Sequence, residues 1–275
     1  MARRFWKMSG SGNDFVVFDS RVSGAEPDPL ERPDAIQTLS ARGTGVGADG
    51  VVFVATGGRP GASLAMRYYN SDGSRGAFCG NATLCVARLA HELGVAPKAG
   101  FALETDSGLV PARMGPNGPE IDLPAVTESL IEAGELALEP GERRIGFALV
   151  GVPHLVVRCD DVDQAPVHAR GRALRYSDYR ADGANVNFVS KRGGEWLIRT
   201  YERGVEGETL ACGSGAIASA ILLARWNESG NSTSLKTRSG LVLTVRLERE
   251  GESWKPTLAG EGRVVFTGEI DELAV

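Results

Sequence analysis

Two cysteines sit in matching surroundings. Cys79-Gly80-Asn81-Ala82 and Cys212-Gly213-Ser214-Gly215-Ala216 each follow a polar turn and each open a long apolar run, so each thiol stands where a buried helix begins. The start of a helix carries N–H groups without partners in the helix and a partial positive charge, which together hold carboxylates and lower a thiol's pKa from about 8.5. Thiols on two such ends can take a proton from one face of a carbon beside a carboxylate and return one to the other face. The chemistry is that of a cofactor-independent amino-acid racemase or epimerase. A cysteine hydrolase needs one nucleophile and a nearby base, which leaves the second thiol unexplained. A redox protein would use the pair as a disulfide.

The remaining cysteines, Cys85 and Cys159, read as small buried hydrophobes inside a helix and at the end of a strand. With no Cys-x-x-Cys spacing and only three histidines, no metal is expected. His91 and His168 have no chemistry-bearing neighbours in the sequence. A net charge of −5 and a pI of 5.4 argue against nucleic acid as a partner. No run approaches the roughly 18 apolar residues of a membrane span. The first 19 residues lack a signal-peptide core and read as a strand, so a reducing, cytoplasmic location is expected.

The elements that must position the thiols come in two copies. Ala48-Asp49-Gly50-Val51-Val52-Phe53-Val54, then Met66-Arg67-Tyr68-Tyr69-Asn70, precede Cys79. Ala184-Asn185-Val186-Asn187-Phe188-Val189, then Ile198-Arg199-Thr200-Tyr201-Glu202, precede Cys212, and the intervals from Arg67 to Cys79 and from Arg199 to Cys212 differ by a single residue. Upstream, Gly12-Asn13-Asp14-Phe15-Val16-Val17 corresponds to Gly151-Val152-Pro153-His154-Leu155-Val156. Short runs rich in β-branched and aromatic residues, bounded by Gly, Pro, Asn and Asp, predict strands in both copies. The helix after Cys79 should stop near Leu93, where Gly94 supplies a C′ residue. The helix after Cys212 is apolar nearly all round and should be a central helix wrapped by sheet. These readings give an α+β fold of two pseudo-symmetric lobes of mixed sheet. The expected boundaries are 1–119 for the first lobe, with 264–275 returning to it, and 120–263 for the second, hinged at Gly115-Pro116-Asn117-Gly118-Pro119.

Polar residues near the two thiols complete a candidate site. Asn13, Asn70 and Asn185 border strands that lead toward the thiols, where neutral amides can bind a carboxylate and an ammonium. Asn187 reads as a turn residue. Glu202 could set the protonation of the nearby thiol and Arg203 could clamp a carboxylate. His154 reads as a turn residue before a strand, with a functional and a structural use equally open. Arg42-Gly43-Thr44-Gly45-Val46-Gly47 looks like a phosphate loop but leads into a strand rather than a helix, so Gly43 and Gly45 read as turn positions needing positive φ.

Taken together, Lys7-Met8-Ser9-Gly10-Ser11-Gly12-Asn13-Asp14-Phe15, Tyr69-Asn70-Ser71-Asp72-Gly73-Ser74, Cys79-Gly80-Asn81, Gly151-Val152-Pro153-His154, Tyr201-Glu202-Arg203-Gly204 and Cys212-Gly213-Ser214-Gly215 make the chain resemble the diaminopimelate epimerases over nearly its whole length. The resemblance implies a pyridoxal-phosphate-independent epimerase that interconverts LL- and meso-diaminopimelate, usually as a homodimer, with the active site in the cleft between the lobes. It places the catalytic bases at Cys79 and Cys212. Asn13, Asn70, Asn185 and Arg203 fall on residues that hold the distal end of the substrate. Gly80-Asn81 and Gly213-Ser214 fall on backbone donors to the reacting carboxylate, and His154 and Glu202 on residues that tune the thiols. Three departures stand out: Val152 where many members have Asn, Ser9 at the start of the first motif, and an inserted Glu206. They bear on the choice of substrate more than on proton transfer, and the alternative reading is a related racemase of proline, hydroxyproline or histidine.

Overall fold

The structure, a computed structural model, describes residues 2–22, 27–134 and 136–271. It divides into two compact units, Met1–Ile121 with Ala259–Val275, and Asp122–Leu258. Among the described residues no helix is long and apolar enough to cross a membrane.

The first unit runs β1 (Arg3–Gly10), β2 (Asn13–Asp19), α1 (Pro33–Ser40), β3 (Gly50–Thr56), β4 (Leu64–Asn70), β5 (Arg75–Gly76), α2 (Gly80–Glu92), β6 (Phe101–Thr105), β7 (Gly108–Gly115) and β8 (Gly118–Asp122). The second runs β9 (Ser129–Leu130), β10 (Glu142–Val150), β11 (Val152–Cys159), α3 (Val167–Arg175), β12 (Asn185–Arg192), β13 (Glu195–Glu202), β14 (Gly207–Thr209), α4 (Gly213–Arg225), β15 (Ser232–Lys236), β16 (Val242–Glu250) and β17 (Ser253–Ala259). The chain then returns as β18 (Arg263–Ile270), antiparallel to β1. Of the expected return segment 264–275, residues 272–275 lie outside the described residues.

The internal repeat is present strand by strand. In the first unit β1 and β2 form an antiparallel hairpin, β2 pairs in parallel with β3, β3 antiparallel with β4, and β4 with both β5 and, in parallel, β6. The second unit repeats this with β10, β11, β12, β13, β14 and β15. Strand alternation sends successive side chains to opposite faces, and both faces are buried because a helix covers each. In the first unit Phe15, Val17 and Val52 pack with Ala82, Cys85, Val86 and Leu89 of α2. Val16, Phe18, Val51 and Phe53 pack with Ile36 and Leu39 of α1. In the second unit Leu155, Val157, Val186 and Phe188 pack with Val167 and Leu174 of α3. The opposite face belongs to α4, which packs on β10, β11 and β12.

Both thiol helices start and stop as the residues dictate. α2 ends on Glu92 with Leu93 as C-cap, and Gly94 takes a left-handed φ of 67° as its C′ residue. α4 is buried on nearly every side from Gly213 to Leu223, in agreement with its all-round apolar sequence.

Candidate active site

Cys79 and Cys212 are the N-cap residues of α2 and α4, both with extended backbone. The first bond of each helix returns to the cysteine's own carbonyl, Thr83 N–H to Cys79 O and Ala216 N–H to Cys212 O, each at 2.9 Å. Gly80-Asn81 and Gly213-Ser214 therefore form the first turn, where helix geometry directs N–H groups outward. Cys212 Sγ accepts from Gly215 N at 3.4 Å and lies 3.6 Å from Ser214 Oγ, which places a backbone donor and a hydroxyl against the sulfur. Cys79 and Cys212 are half-buried, whereas Cys85 and Cys159 are buried. Burial pushes the Cys85 thiol well above its usual range and the Cys159 thiol to about 11, so both stay protonated.

In the first unit the amides expected at the site are held by a charged network. Asn81 Nδ2 donates to Asn13 Oδ1 at 2.7 Å, and Asn13 Nδ2 donates to Asp49 Oδ2 at 3.0 Å. A carboxylate only accepts, so Asp49 fixes which way the Asn13 amide points and leaves it one further N–H. Arg42 bridges Asp49 at 2.8 Å and Asp14 at 2.7 Å, and Lys7 reaches Asp14 at 2.6 Å. Burial alone would raise the Asp14 carboxyl, but hydrogen bonds from Arg42 and Lys7 outweigh it and hold the group below its usual range. Asn70 caps the β4–β5 turn, accepting from Tyr68 Oη at 2.9 Å and donating to Ser74 Oγ at 3.0 Å.

In the second unit Asn185 opens β12 and its Oδ1 accepts from Arg203 N at 2.8 Å. Arg203 Nη1 donates to Asp182 O at 3.3 Å, and Glu202 accepts from Thr209 Oγ1 at the end of β13. Glu206 takes a left-handed φ of 55° and accepts from Gly204 N at 3.0 Å, closing the loop that carries Arg203.

Three sequence expectations are corrected. His154 is not in a turn. Gly151, at φ 68°, makes the β10–β11 hairpin by itself, with Val150 opposite Val152, so His154 lies inside β11 and is fully buried. The preceding Pro153 is tolerated because the parallel ladder to β12 begins only at His154. Asn187 is not a turn residue either: it is buried in the middle of β12, between Val186 and Phe188, which face α3. Gly43 does have positive φ, but Gly45 does not; a Cβ there would stand 2.0 Å from Thr38 O, so close approach to α1 demands the glycine.

His154 and Asn187 belong to one network. Asn187 Nδ2 lies 3.2 Å from His154 Nδ1 and 3.0 Å from Leu155 O, and Asn187 Oδ1 accepts from Thr200 Oγ1 at 3.0 Å. Burial, aided by the charge of Arg203, drives the imidazole pKa down to about 3, so the ring is neutral. Lys7, Arg42, Asp49, Asn187 and Thr200 were not expected at the site. Arg42 and Asp49 flank the glycine-rich turn, and only the fold brings their side chains together on Asp14 and Asn13.

Comparisons with known proteins bear on the family and the fold. The sequence profile of the diaminopimelate epimerase family matches residues 5–126 and 146–266. A diaminopimelate epimerase from Gemmatimonas aurantiaca is 45% identical over 97% of this chain and 98% of its own length. One from Aquifex aeolicus is 39% identical over 98% of each. Among solved structures, a hydroxyproline epimerase from Agrobacterium vitis superposes with a TM-score of 0.68 at 19% identity, over 98% of this chain and 92% of that one. A phenazine biosynthesis protein of the PhzF family from Bacillus anthracis gives 0.73 at 16%, over 98% and 99%. These two establish the α+β fold, and the sequence relatives establish the lineage: this chain belongs to the diaminopimelate epimerase family.

Proposed function

We propose that the chain interconverts LL- and meso-2,6-diaminopimelate by two-base proton transfer, without a cofactor, on the route to lysine and peptidoglycan. The carrying observation is the repeat itself, which sets Cys79 and Cys212 on equivalent N-caps of α2 and α4. One sulfur starts as thiolate and takes the α-proton; the other starts as thiol and gives its proton to the opposite face of the carbanion. Their protonation states are exchanged after each turnover, so the return reaction uses the same two groups in opposite roles.

An α-proton beside a carboxylate is far less acidic than a thiol, and the negative charge that develops must be met as it forms. The first turns at Gly80-Asn81 and Gly213-Ser214 supply aligned donors for the reacting carboxylate, an effect of several kcal/mol where water is excluded. Arg203 meets the distal carboxylate through a two-pronged contact, and Asn13, Asn70 and Asn185 take the remaining polar atoms without adding charge. Glu202, whose carboxylate accepts from Thr209 Oγ1, tunes the protonation of the Cys212 thiol. A cytoplasmic homodimer fits this reading, with Val265 and Phe266 exposed at 46% and 48% on β18 as a surface for a second copy.

Incubation with LL-diaminopimelate in D2O tests the assignment. The expected product is meso-diaminopimelate carrying deuterium at an α-carbon, seen by chiral separation and mass spectrometry. Equal activity on proline, histidine or lysine would sink the substrate assignment; no α-exchange on any of them would sink the chemistry.

A further inference from the structure

The register of the two units isolates a polar cluster that the repeat does not call for. Phe15 pairs with Gly50 where His154 pairs with Asn185, and Val52 pairs with Tyr68 where Asn187 pairs with Thr200. Phe15 and Val52 are buried and apolar, and Phe15 meets Tyr68 edge-on with centroids 6.2 Å apart. At the same places in the second unit stand His154, Asn187 and Thr200, all buried. Polar side chains in such positions are unfavourable unless they are hydrogen-bonded, and a fold that had only to bury the face would repeat the apolar set.

The bonds among them fix the imidazole. Leu155 O can only accept, so the nitrogen of the Asn187 amide must be the atom that faces it, and the second hydrogen of that nitrogen points at His154 Nδ1. Nδ1 therefore accepts. The single proton of the neutral ring then sits on Nε2, a buried atom with no protein hydrogen-bond partner among the described residues. On its other side the Asn187 amide is seated under α4: a Cβ on Gly215 would stand 2.2 Å from Asn187 Oδ1, and Gly215 N is the group that donates to Cys212 Sγ.

We propose that Asn187 is a positioning residue of the Cys212 site, locking His154 as the Nε2–H tautomer so that the imidazole is a fixed, uncharged donor to the anion handled at the start of α4. This rests on the epimerase reading above and deepens it. The ring carries no proton in the cycle. A charged imidazolium would hold the thiolate in an ion pair and oppose its reprotonation, whereas a neutral donor meets whichever anion is present and does not titrate across the working range.

The test uses the full chain labelled with 15N-histidine, the His154 signals being assigned by their loss in His154→Gln. The expected spectrum has a bare Nδ1 and a protonated Nε2 from pH 5 to 9. Asn187→Asp, close in shape but unable to donate, should draw the proton to Nδ1 and lower kcat by about 10- to 100-fold, the loss of one hydrogen bond to a charged group. KM should change far less, because the lost contact acts on charge that develops during reaction. If Asn187→Asp does not fold, Asn187→Leu removes the donor with an apolar side chain of similar size and should give mixed tautomers with the same kcat loss. A wild-type proton on Nδ1, a His154 titration near its ordinary value, or shifted tautomers with unchanged kcat would each overturn the proposal. An inactive wild type would overturn the epimerase reading alone, since the tautomer is read without turnover.

Discussion

The two thiol-bearing helices are built on one template and supported in opposite ways. Beneath α2 the sheet offers apolar packing from Phe15 and Val52, and the polar support lies to one side, where Arg42, Asp14 and Asp49 hold Asn13 against Asn81. Beneath α4 the support is internal and neutral, running from Thr200 through Asn187 to His154. Duplication of the fold supplies two matched helix ends, as two-base proton transfer requires. It cannot supply a difference between them, yet a substrate whose two ends are chemically distinct from the reacting centre's viewpoint requires one. The difference enters through side chains at register-equivalent positions, and the pattern of strand pairing is kept.

The most damaging way to break the symmetry is to remove a thiol. Cys79→Ala and Cys212→Ala should each lower epimerisation in both directions by at least about 10³-fold, the scale of a lost acid–base group, with thermal melting little changed. A single variant that keeps near wild-type turnover would remove the two-base mechanism.

Arg203→Met acts on the second unit alone. Leaving a distal carboxylate without its cationic partner, while the Arg203 N–H to Asn185 Oδ1 bond stays in place, should lower kcat/KM by roughly 10²-fold or more. Val152→Asn, which restores the amide common in the family, should change it far less. The comparison is made with diaminopimelate kinetics, and an equal response of the two variants would remove Arg203 from the distal site.

A smaller effect is expected from making the second unit resemble the first. The double variant His154→Phe/Asn187→Val replaces two members of the network with their register equivalents and leaves the buried Thr200 hydroxyl without its acceptor, at a cost of about 1–3 kcal/mol. It should fold, yet lose about 10-fold or more in kcat. It should also be less sensitive to acid. The wild-type ring has a folded pKa near 3, below its unfolded value of 6.5, so the unfolded state binds the extra proton and stability falls as pH drops between those values. The slope approaches about 1.4 kcal/mol per pH unit. Urea titrations from pH 7 to 4 should show the wild type losing more stability than the double variant; parallel curves would place the proton elsewhere.

The smallest effect belongs to the side support of the first unit. Asp49→Asn keeps the shape but leaves one accepting oxygen, which Arg42 claims, so that an NH2 group faces Asn13; KM should rise by about 5-fold with kcat nearly unchanged, the loss of one partly exposed hydrogen bond. A fall in kcat as large as that of the Asn187 variants would mean that the two supports are equivalent after all.

The local parts of this protein are legible in its amino-acid sequence. A Cys-Gly pair after a polar turn and before an apolar run already specifies a thiol at a helix start, because capping and burial depend on neighbours within one turn of chain. The repeat, the C′ role of Gly94 and the all-round burial of α4 follow from spacing alone. Residues that act through register are not legible in the same way. His154, Asn187 and Thr200 are separated by 33 and 13 positions, and only the parallel pairing of β11 with β12 and the antiparallel pairing of β12 with β13 bring them together. Along the chain, Asn and the Gly-Val-Pro-His segment signal turns, since those residue types favour turns wherever nothing else binds them. The sheet overrides that preference by giving each buried polar group a partner from another strand, and the identity of that partner is a property of the folded sheet.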